Sequence, residues 1–431
     1  MNAKNTKGRN MQNDVSNKVL GIVVPVYNTA AYLRECLDSI RFQTHENLCV
    51  LMVDDGSNDD QSLDIAREYV GLDSRFMLLC KENDGLSAAR NTGLAWFKGE
   101  IALEYEGEEN LELGGRGGQV PQTLKKKTHN YKPTNSNPHR IKSFSTQLES
   151  AKPPKIDYIL FFDSDDYLLP SFAQTCLSHS NGMDVVWCNY FFEYEIEIPN
   201  PLQSVGQIYG LKHSGRLDIC DFIKNHASQV NFFALGNGHI IDFAFLSDIG
   251  LSFTYGIFAE DQDYGIKLLM QSKNTFYLNE QLSAYRIRPG SICNYEGSHR
   301  PCPAYFLRKY PKLEGRKNTG EVFYRGSFLL IFLEVLEFLQ SYEGVGAKEA
   351  REVFLPKYAA RALCVLDLSS DPLGFIPKLS LVLPYLEKPP KKLDILRIKY
   401  PFFNRLHRAT LLSYEKIKWI ERTIRRLLRR S

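Results

Sequence analysis

The sequence predicts an α/β protein built on a mainly parallel sheet with helices over both faces. Three observations predict it. Short apolar strands alternate with amphipathic helices through the first hundred residues, polar and acidic clusters end each of those strands, and the strand signal gives way to leucine-rich helical patterns after about residue 300.

The elements follow in order. Val19 to Val26 (VLGIVVPV) is an unbroken apolar run, as a strand buried on both faces requires, and a Tyr-Asn-Thr turn follows it. Tyr32, Leu33, Cys36, Leu37 and Ile40 recur at helical spacing. Leu48 to Val53 is a second apolar strand, ending in Asp54-Asp55-Gly56-Ser57. Asp59 to Val70 reads as the next helix, Phe76 to Cys80 as the third strand, and Ser87 to Phe97 as a helix stopped by Gly99. In such sheets ligands bind beyond the carboxyl ends of the strands. Tyr27-Asn28, Asp54-Asp55 and Asn83-Asp84 all fall there.

The alternation then breaks. Residues 101–113 carry five glutamates and no basic residue, and residues 114–155 carry nine Lys or Arg against one Glu. With its many Gly, Pro, Ser and Asn, 101–156 reads as a solvated, low-complexity insert without a packed core. Its Gly114-Gly115-Arg116-Gly117-Gly118 has the look of a phosphate loop but lacks the preceding strand and following helix that such a loop needs. Regular structure resumes with the apolar strand Asp157 to Phe162, which delivers Asp163-Ser164-Asp165-Asp166. The sequence thus divides into a disordered lead-in (1–17), an α/β domain (18–300) interrupted by the insert, and a helical region (301–431).

Composition narrows the class. The 431 residues are 43% hydrophobic, 12% aromatic and 24% charged, ordinary for a globular chain with a core. A net charge of +3 does not point to nucleic acid. Nine scattered cysteines, none in a C-x-x-C pair, suggest neither a zinc site nor a disulfide framework and fit a reducing compartment. The polar MNAKNTKGRNMQND lacks the apolar run of a signal peptide, and Phe328 to Leu339 is short and interrupted by Glu334 and Glu337, so a cytoplasmic protein is expected. The last helix, Leu411 to Arg430, sets Tyr414, Ile417, Ile420, Ile424, Leu427 and Leu428 on one side. Its seven basic residues exceed its two glutamates, which predicts contact with an anionic membrane surface through 411–430.

The strongest chemical signal is the acidic cluster at 163–166. An apolar strand that brings three carboxylates to one edge is unfavourable without a cation, and an oxygen-rich site suits Mg²⁺ or Mn²⁺ held jointly with substrate phosphates. The alternative is a capped turn. Asp54 and Asp55 suit hydrogen bonds to a base or ribose, or a simple Asx turn. Arg90 lies one turn into its helix, facing either the pocket or solvent. Glu260-Asp261, ahead of YGIKLLM, suits a helix start or a general base.

Six strings in order resemble one family: VVPVYN at 23–28, VDDGS at 53–57, NDGLSAARNTGL at 83–94, YILFFDSDDYLLP at 158–170, AEDQDYGIKLL at 259–269 and YRIRPGSI at 285–292. Together they resemble the family-2 inverting glycosyltransferases, which have the GT-A nucleotide-diphospho-sugar transferase fold, over about residues 18–295 with the insert outside. The resemblance implies that Pro25 and Tyr27 line the base pocket, that Asp54 or Asp55 contacts uracil or ribose, and that Arg90 touches the base. It implies that Asp163 and Asp165 form the DxD element holding Mn²⁺ or Mg²⁺, with Ser164 and Asp163 on the UDP-sugar and Asp166 beside them. It makes Asp261 of the Glu260-Asp261 pair the catalytic base, and places Arg286, Arg288 and Ser291 in a loop over the phosphates. A chain of this kind is similar to bacterial lipopolysaccharide galactosyltransferases of the Helicobacter type, which implies a glycan or lipid-linked acceptor and a place at the inner face of the cytoplasmic membrane.

Two departures stand out: the insert between Gly99-Glu100 and Asp157-Tyr158, and Gly238-His239-Ile240-Ile241 where relatives carry a basic, aromatic acceptor-side segment. His239 reads as a structural histidine. A nicotinamide-dependent dehydrogenase would need G-x-G-x-x-G after the first strand, where Pro25-Val26-Tyr27-Asn28 stands instead. The remaining alternative is a nucleotide-sugar-binding module without catalysis.

Overall fold

The computed structural model describes residues 15–59, 61–113, 124–134, 136–235, 238–290 and 301–400. The chain forms two compact units. The first comprises Met1–Gly256, Glu260–Gly297 and Glu343–Glu349, and the second Ile257–Ala259, Ser298–Tyr342 and Ala350–Ser431.

The first unit begins with β1 (Leu20–Val26), α1 (Ala30–Arg41), β2 (Leu48–Asp54), α2 (Ser62–Leu72), β3 (Phe76–Lys81) and α3 (Leu86–Phe97). The inserted strands β4 (Leu103–Leu113), β5 (Leu124–Pro133) and β6 (Ile141–Thr146) come next. The chain continues through β7 (Tyr158–Phe161), β8 (Tyr167–Leu168), α4 (Phe172–Ser178), β9 (Val185–Tyr194), α5 (Val205–Tyr209), β10 (Gly215–Arg216) and α6 (Ile219–Asn225). It closes with β11 (His239–Asp242), α7 (Phe243–Asp248), α8 (Asp261–Gln271) and β12 (Thr275–Ile287).

Among the described residues these strands form one sheet in the order β10-β12-β9-β11-β7-β1-β2-β3-β6-β5-β4, with β8 paired to β12. The centre, β7-β1-β2-β3, is parallel, and β1 and β2 are buried along their whole length. β11 runs antiparallel to β7 and β9, and the inserted strands are antiparallel, so the sheet as a whole is mixed. On one face, alternate residues of β1 and β2 (Ile22, Val24, Val50, Met52) pack against Leu33, Cys36 and Leu37 of α1 and Ile65 and Tyr69 of α2. On the other, α3 lies so close to β1 that a Cβ on Gly93 would sit 2.4 Å from Val23 Cγ1. Pro25 lies beyond the last β1–β7 pair, Val23↔Phe161, where its missing N–H breaks no bond to that neighbour.

Two sequence expectations are corrected here. Residues 15–17, assigned to a disordered lead-in, are ordered, and Val15 packs into the core. The insert is not a coreless loop: β6 pairs with β3, and β5 and β4 continue the sheet outward. Its opposed charge blocks face each other across the ladder, with Lys127 paired to Glu108 and Lys132 to Glu104. Its own apolar residues supply a core: Phe144 stacks on Trp96 at 5.5 Å, and Tyr131 meets Phe144 edge-on at 5.9 Å. Composition masked this because strongly charged strands score as solvated segments. Gly114 to Gly118 lie outside the described residues.

The second unit is helical, with α9 (Ala304–Lys309), α10 (Thr319–Ser341), α11 (Ala347–Ala362), α12 (Phe375–Lys378) and α13 (Lys392–Lys399). Gly326 of α10 lets Phe375 approach to where a Cβ would lie 2.3 Å away. No helix among the described residues is long and apolar enough to cross a membrane, and the described cysteines are free. The basic segment 411–430 lies outside the described residues.

Candidate active site

The loops that end β1, β2 and β7 are tied together. Asn28, in the left-handed region at φ +52°, donates its N–H to Ser57 Oγ and pairs its side chain with Asn58. Thr29 joins two segments: its N–H donates to Ser62 Oγ (2.9 Å) and its hydroxyl pairs with Ser164 Oγ (3.0 Å). Ser164 is thereby buried as a brace between β1 and β7 rather than aimed outward. Pro25 is buried, and Tyr27, 46% exposed, stands over the crevice edge.

Asp54 and Asp55 have different surroundings. Asp55 accepts from Lys81 Nζ (2.9 Å), Asn83 Nδ2 (3.1 Å) and the N–H groups of Asp84 (2.9 Å) and Gly85 (2.7 Å). Its carboxylate shapes the Asn83–Gly85 turn, where Gly85 takes φ +88°. Asp54 accepts from the Ser57 N–H at 3.2 Å and from its near neighbours Ser57 (hydroxyl) and Gly56 (N–H) in the turn that follows β2. Burial is the largest influence on both carboxyls and raises both, opposed at Asp55 by Lys81.

Arg90 joins the rest of the site. The first turns of α3 direct it inward, where Nη1 donates to Glu260 Oε1 (2.7 Å) and Nη2 to Asp163 Oδ1 (2.6 Å). Its Cζ lies 5.0 Å from the Phe253 ring centroid, and Phe253 stacks on Tyr264 at 3.9 Å. The neighbouring Asn91 fixes Phe253 by bonding both its N–H and its carbonyl (2.9 and 2.8 Å). Arg90 therefore does not sit in solvent. Burial alone would lower its pKa, and the Asp163 and Glu260 charges reverse that and raise it.

Glu260 and Asp261 follow Ala259, which holds φ +61°, a strained conformation for alanine. Glu260 is buried and committed to Arg90. Asp261 opens α8 and is half-buried, its carboxylate bonded to its own N–H and near the Arg90 charge. Burial raises the pKa of both, opposed by Arg90; the Asp261 charge raises Glu260 further, and Asp163 adds to the rise at Asp261. A carboxylate with raised proton affinity and no committed side-chain ion pair suits a general base.

In the acidic cluster, Asp163 and Asp165 have side chains 23% exposed, each with one oxygen on an arginine: Asp163 on Arg90, and Asp165 on Arg288 Nε (2.8 Å). Asp166 is buried and accepts from the Arg286 N–H at 2.7 Å; burial first, then the Asp165 and Asp163 charges, push it well up. Arg286 is held by Glu35, Glu193 and Glu195 at 2.7–3.3 Å and donates to the Asp165 carbonyl (3.0 Å). It braces the DxD turn from behind. Among the described residues, no three His, Cys, Asp or Glu side chains are arranged to hold a metal by themselves. Two half-open carboxylates suit a divalent cation that completes its shell with phosphate oxygens and water. Excess negative charge also fits it: five carboxylates (Asp163, Asp165, Asp166, Glu260, Asp261) meet three arginines here. Ser291 lies outside the described residues. His239 is buried on β11, in keeping with a structural role.

Sequence reasoning passed over Lys81, Phe253 and the three glutamates around Arg286. Lys81 left a trace, as a charge ending the apolar run FMLLCK; the others left none, because their partners are distant in sequence.

The fold is that of GT-A proteins. The profile described as Glycosyl transferase family 2 matches residues 21–104. Glycosyltransferase GlyA of Streptococcus pneumoniae is 28% identical over 63% of this chain and 31% of its own length. EpsJ of Bacillus subtilis, an uncharacterised glycosyltransferase, is 23% identical over 68% of this chain and 67% of its own. Residues 1–349 of Staphylococcus aureus TarS, solved in complex with UDP-GlcNAc, superpose with a TM-score of 0.53 at 16% identity, covering 91% of this chain and 92% of that one. The chain resembles the family-2 glycosyltransferases through the match over residues 21–104, and glycosyltransferases at 23–28% identity over about two thirds of its length. It spans about a third of GlyA.

Proposed function

We propose that the chain moves a hexose, galactose favoured, from a UDP-sugar to a glycan or lipid-linked acceptor in lipopolysaccharide or surface-polysaccharide synthesis, with inversion at the anomeric carbon. The observation that carries this is the Arg90 clamp, which fixes Asp163 and Glu260 to one guanidinium and so sets the donor-side carboxylates beside Asp261.

In this reading Pro25, Tyr27 and Asp54 meet the nucleoside, and Asp55 holds the turn beside it. Asp163 and Asp165 would hold Mn²⁺ or Mg²⁺, which when bound would supply Lewis-acid stabilisation of charge on the diphosphate. Asp261 takes the proton of the acceptor hydroxyl as that oxygen bonds to the anomeric carbon. The bond from that carbon to the diphosphate oxygen breaks on the opposite face, and UDP departs with the electron pair. A single displacement inverts the centre and needs no enzyme nucleophile. Ion pairing to Arg90 keeps Glu260 as the support of Asp261 rather than a second base.

The test is turnover of a panel of UDP-sugars with Mn²⁺ or Mg²⁺, wild type against Asp261→Asn. Turnover of a donor, lost in the variant, is the expected result. UDP binding without turnover of any donor would replace the reading with that of an inactive binding module. Peripheral placement at the inner face of the cytoplasmic membrane rests on the basic apolar pattern of 411–430. Truncation after Leu412 is expected to abolish sedimentation with phosphatidylglycerol vesicles; unchanged sedimentation would refute it.

A further inference from the structure

β9 runs parallel to β12 and to the central strands through β11, so its carboxyl end reaches the same sheet edge as the DxD turn. One face of that end serves Arg286 through Glu193 and Glu195. The other carries an aromatic ladder. Tyr190 and Phe192 have ring centroids 5.6 Å apart, Phe192 and Tyr194 6.1 Å, and Tyr285 of β12 closes against Tyr190 and Phe192 at 5.8 Å each. The buried foot of the ladder, Tyr190, feels the Asp261 and Asp166 carboxylates, which add to burial in raising its pKa. The outer rings, Phe192, Tyr194 and Tyr285, are half-exposed.

The ladder leads into a cavity of about 570 Å³ lined by Tyr194, Ile196, Glu197, Ile198, Pro199 and Pro201. The loop that forms it is held firmly at its base. Phe192 N–H donates to the Gln203 carbonyl (3.0 Å), Phe191 bridges Ser204, and the Tyr194 hydroxyl donates to the Leu202 carbonyl (2.8 Å). Ser204 caps α5 by accepting from Gln207 N–H (3.3 Å), and Gln207 Oε1 accepts from Gln203 N–H (2.8 Å), so the loop ends on a fixed point. Half-exposed rings and prolines beside a carboxylate are not the signature of a core. They match the alternating apolar and hydroxyl faces of a pyranose, with Glu197 at the rim to accept from hydroxyls.

We propose that this ladder and cavity, from Phe192 to Pro201, bind the sugar rings of the acceptor glycan and lead its terminal hydroxyl to Asp261. The proposal deepens the transfer reaction above and rests on it, since it assigns that reaction's second substrate.

The test uses the full chain carrying Asp261→Asn, loaded with UDP and Mn²⁺, on a printed array of hexose and N-acetylhexosamine oligosaccharides. Retention of at least one glycan is expected. Adding Tyr194→Ala is expected to weaken it at least about tenfold, with UDP affinity preserved as the measure of an intact fold. Tyr194→Phe, which keeps the ring and loses the bond to Leu202, is expected to stay within about threefold. Phe192→Leu supplies a second probe of the ladder where Tyr194→Ala fails to fold, and it too is expected to weaken retention. Equal retention by Tyr194→Ala, or no glycan retained at all, overturns the proposal. So does equal loss in Tyr194→Phe, or binding only to polyprenyl phosphate micelles free of sugar. Failure of the transferase reading shows separately, as absence of UDP-sugar turnover by the wild type, a readout that glycan retention does not use.

Discussion

Replacing Arg90 with methionine tests the centre of the site. The side chain is 7% exposed and bonds two carboxylates, Glu260 (10% exposed) and Asp163 (23% exposed). Methionine fills similar volume but leaves Glu260 buried without its partner. Removing one member of a buried pair costs about 3–5 kcal/mol. Solvent at Asp163 softens its share, so the lower end, about 3 kcal/mol, is expected. For a unit of this size that lowers the thermal midpoint by about 6 °C, at roughly 2 °C per kcal/mol. Freed from the guanidinium, Glu260 and Asp261 lose their fixed position, and transfer is expected to fall about 100-fold or more. Differential scanning calorimetry and a UDP-release assay read the two effects. A midpoint within about 1 °C of wild type together with transfer within about threefold would refute the clamp.

Further changes separate the roles of neighbouring residues. Asp163→Asn with Asp165→Asn is expected to abolish the Mn²⁺-dependent part of UDP binding in calorimetric titration; binding still weakened by EDTA to the wild-type extent would place the cation elsewhere. Asp55→Asn strands Lys81 and is expected to cost about 3 kcal/mol in denaturant unfolding, with weaker UDP binding, whereas full stability would mean that its bonds are dispensable. Gly93→Ala drives a methyl into Val23 and is expected to cost about 1–3 kcal/mol; a neutral result would show that α3 shifts freely. Phe144→Ala is expected to cost about 3–5 kcal/mol, while Glu108→Gln on the exposed ladder leaves the midpoint unchanged, and the reverse order would mean that charge rather than packing holds the insert.

Much of the fold was legible because its central strands are apolar without interruption and its first helix keeps a strict 3.6-residue stripe. Each acidic or polar cluster also fell at a strand end, where topology alone makes a ligand edge. What stayed hidden were relationships rather than residues. Asp54 and Asp55 are adjacent and look alike, yet Asp55 is consumed by four donors brought from β3 and its turn. Arg90 was visible as a candidate, but its two partners lie 73 and 170 residues away. The insert misled because its charges cancel across strands, a fact that single-strand composition does not contain.

The position of that insert has a consequence for how the molecule keeps to itself. Without it, β3 would offer a buried, hydrophobic flank to any passing strand. With it, the sheet ends on β4, whose described side chains Glu104, Glu106, Glu108 and Glu109 are exposed. Two such borders brought together align like charges, so stacking of copies into extended ribbons is opposed. The same border is a conditional guard. High salt screens charge, so the repulsion fades there and the outermost strand becomes the place where solutions of this protein would first turn cloudy.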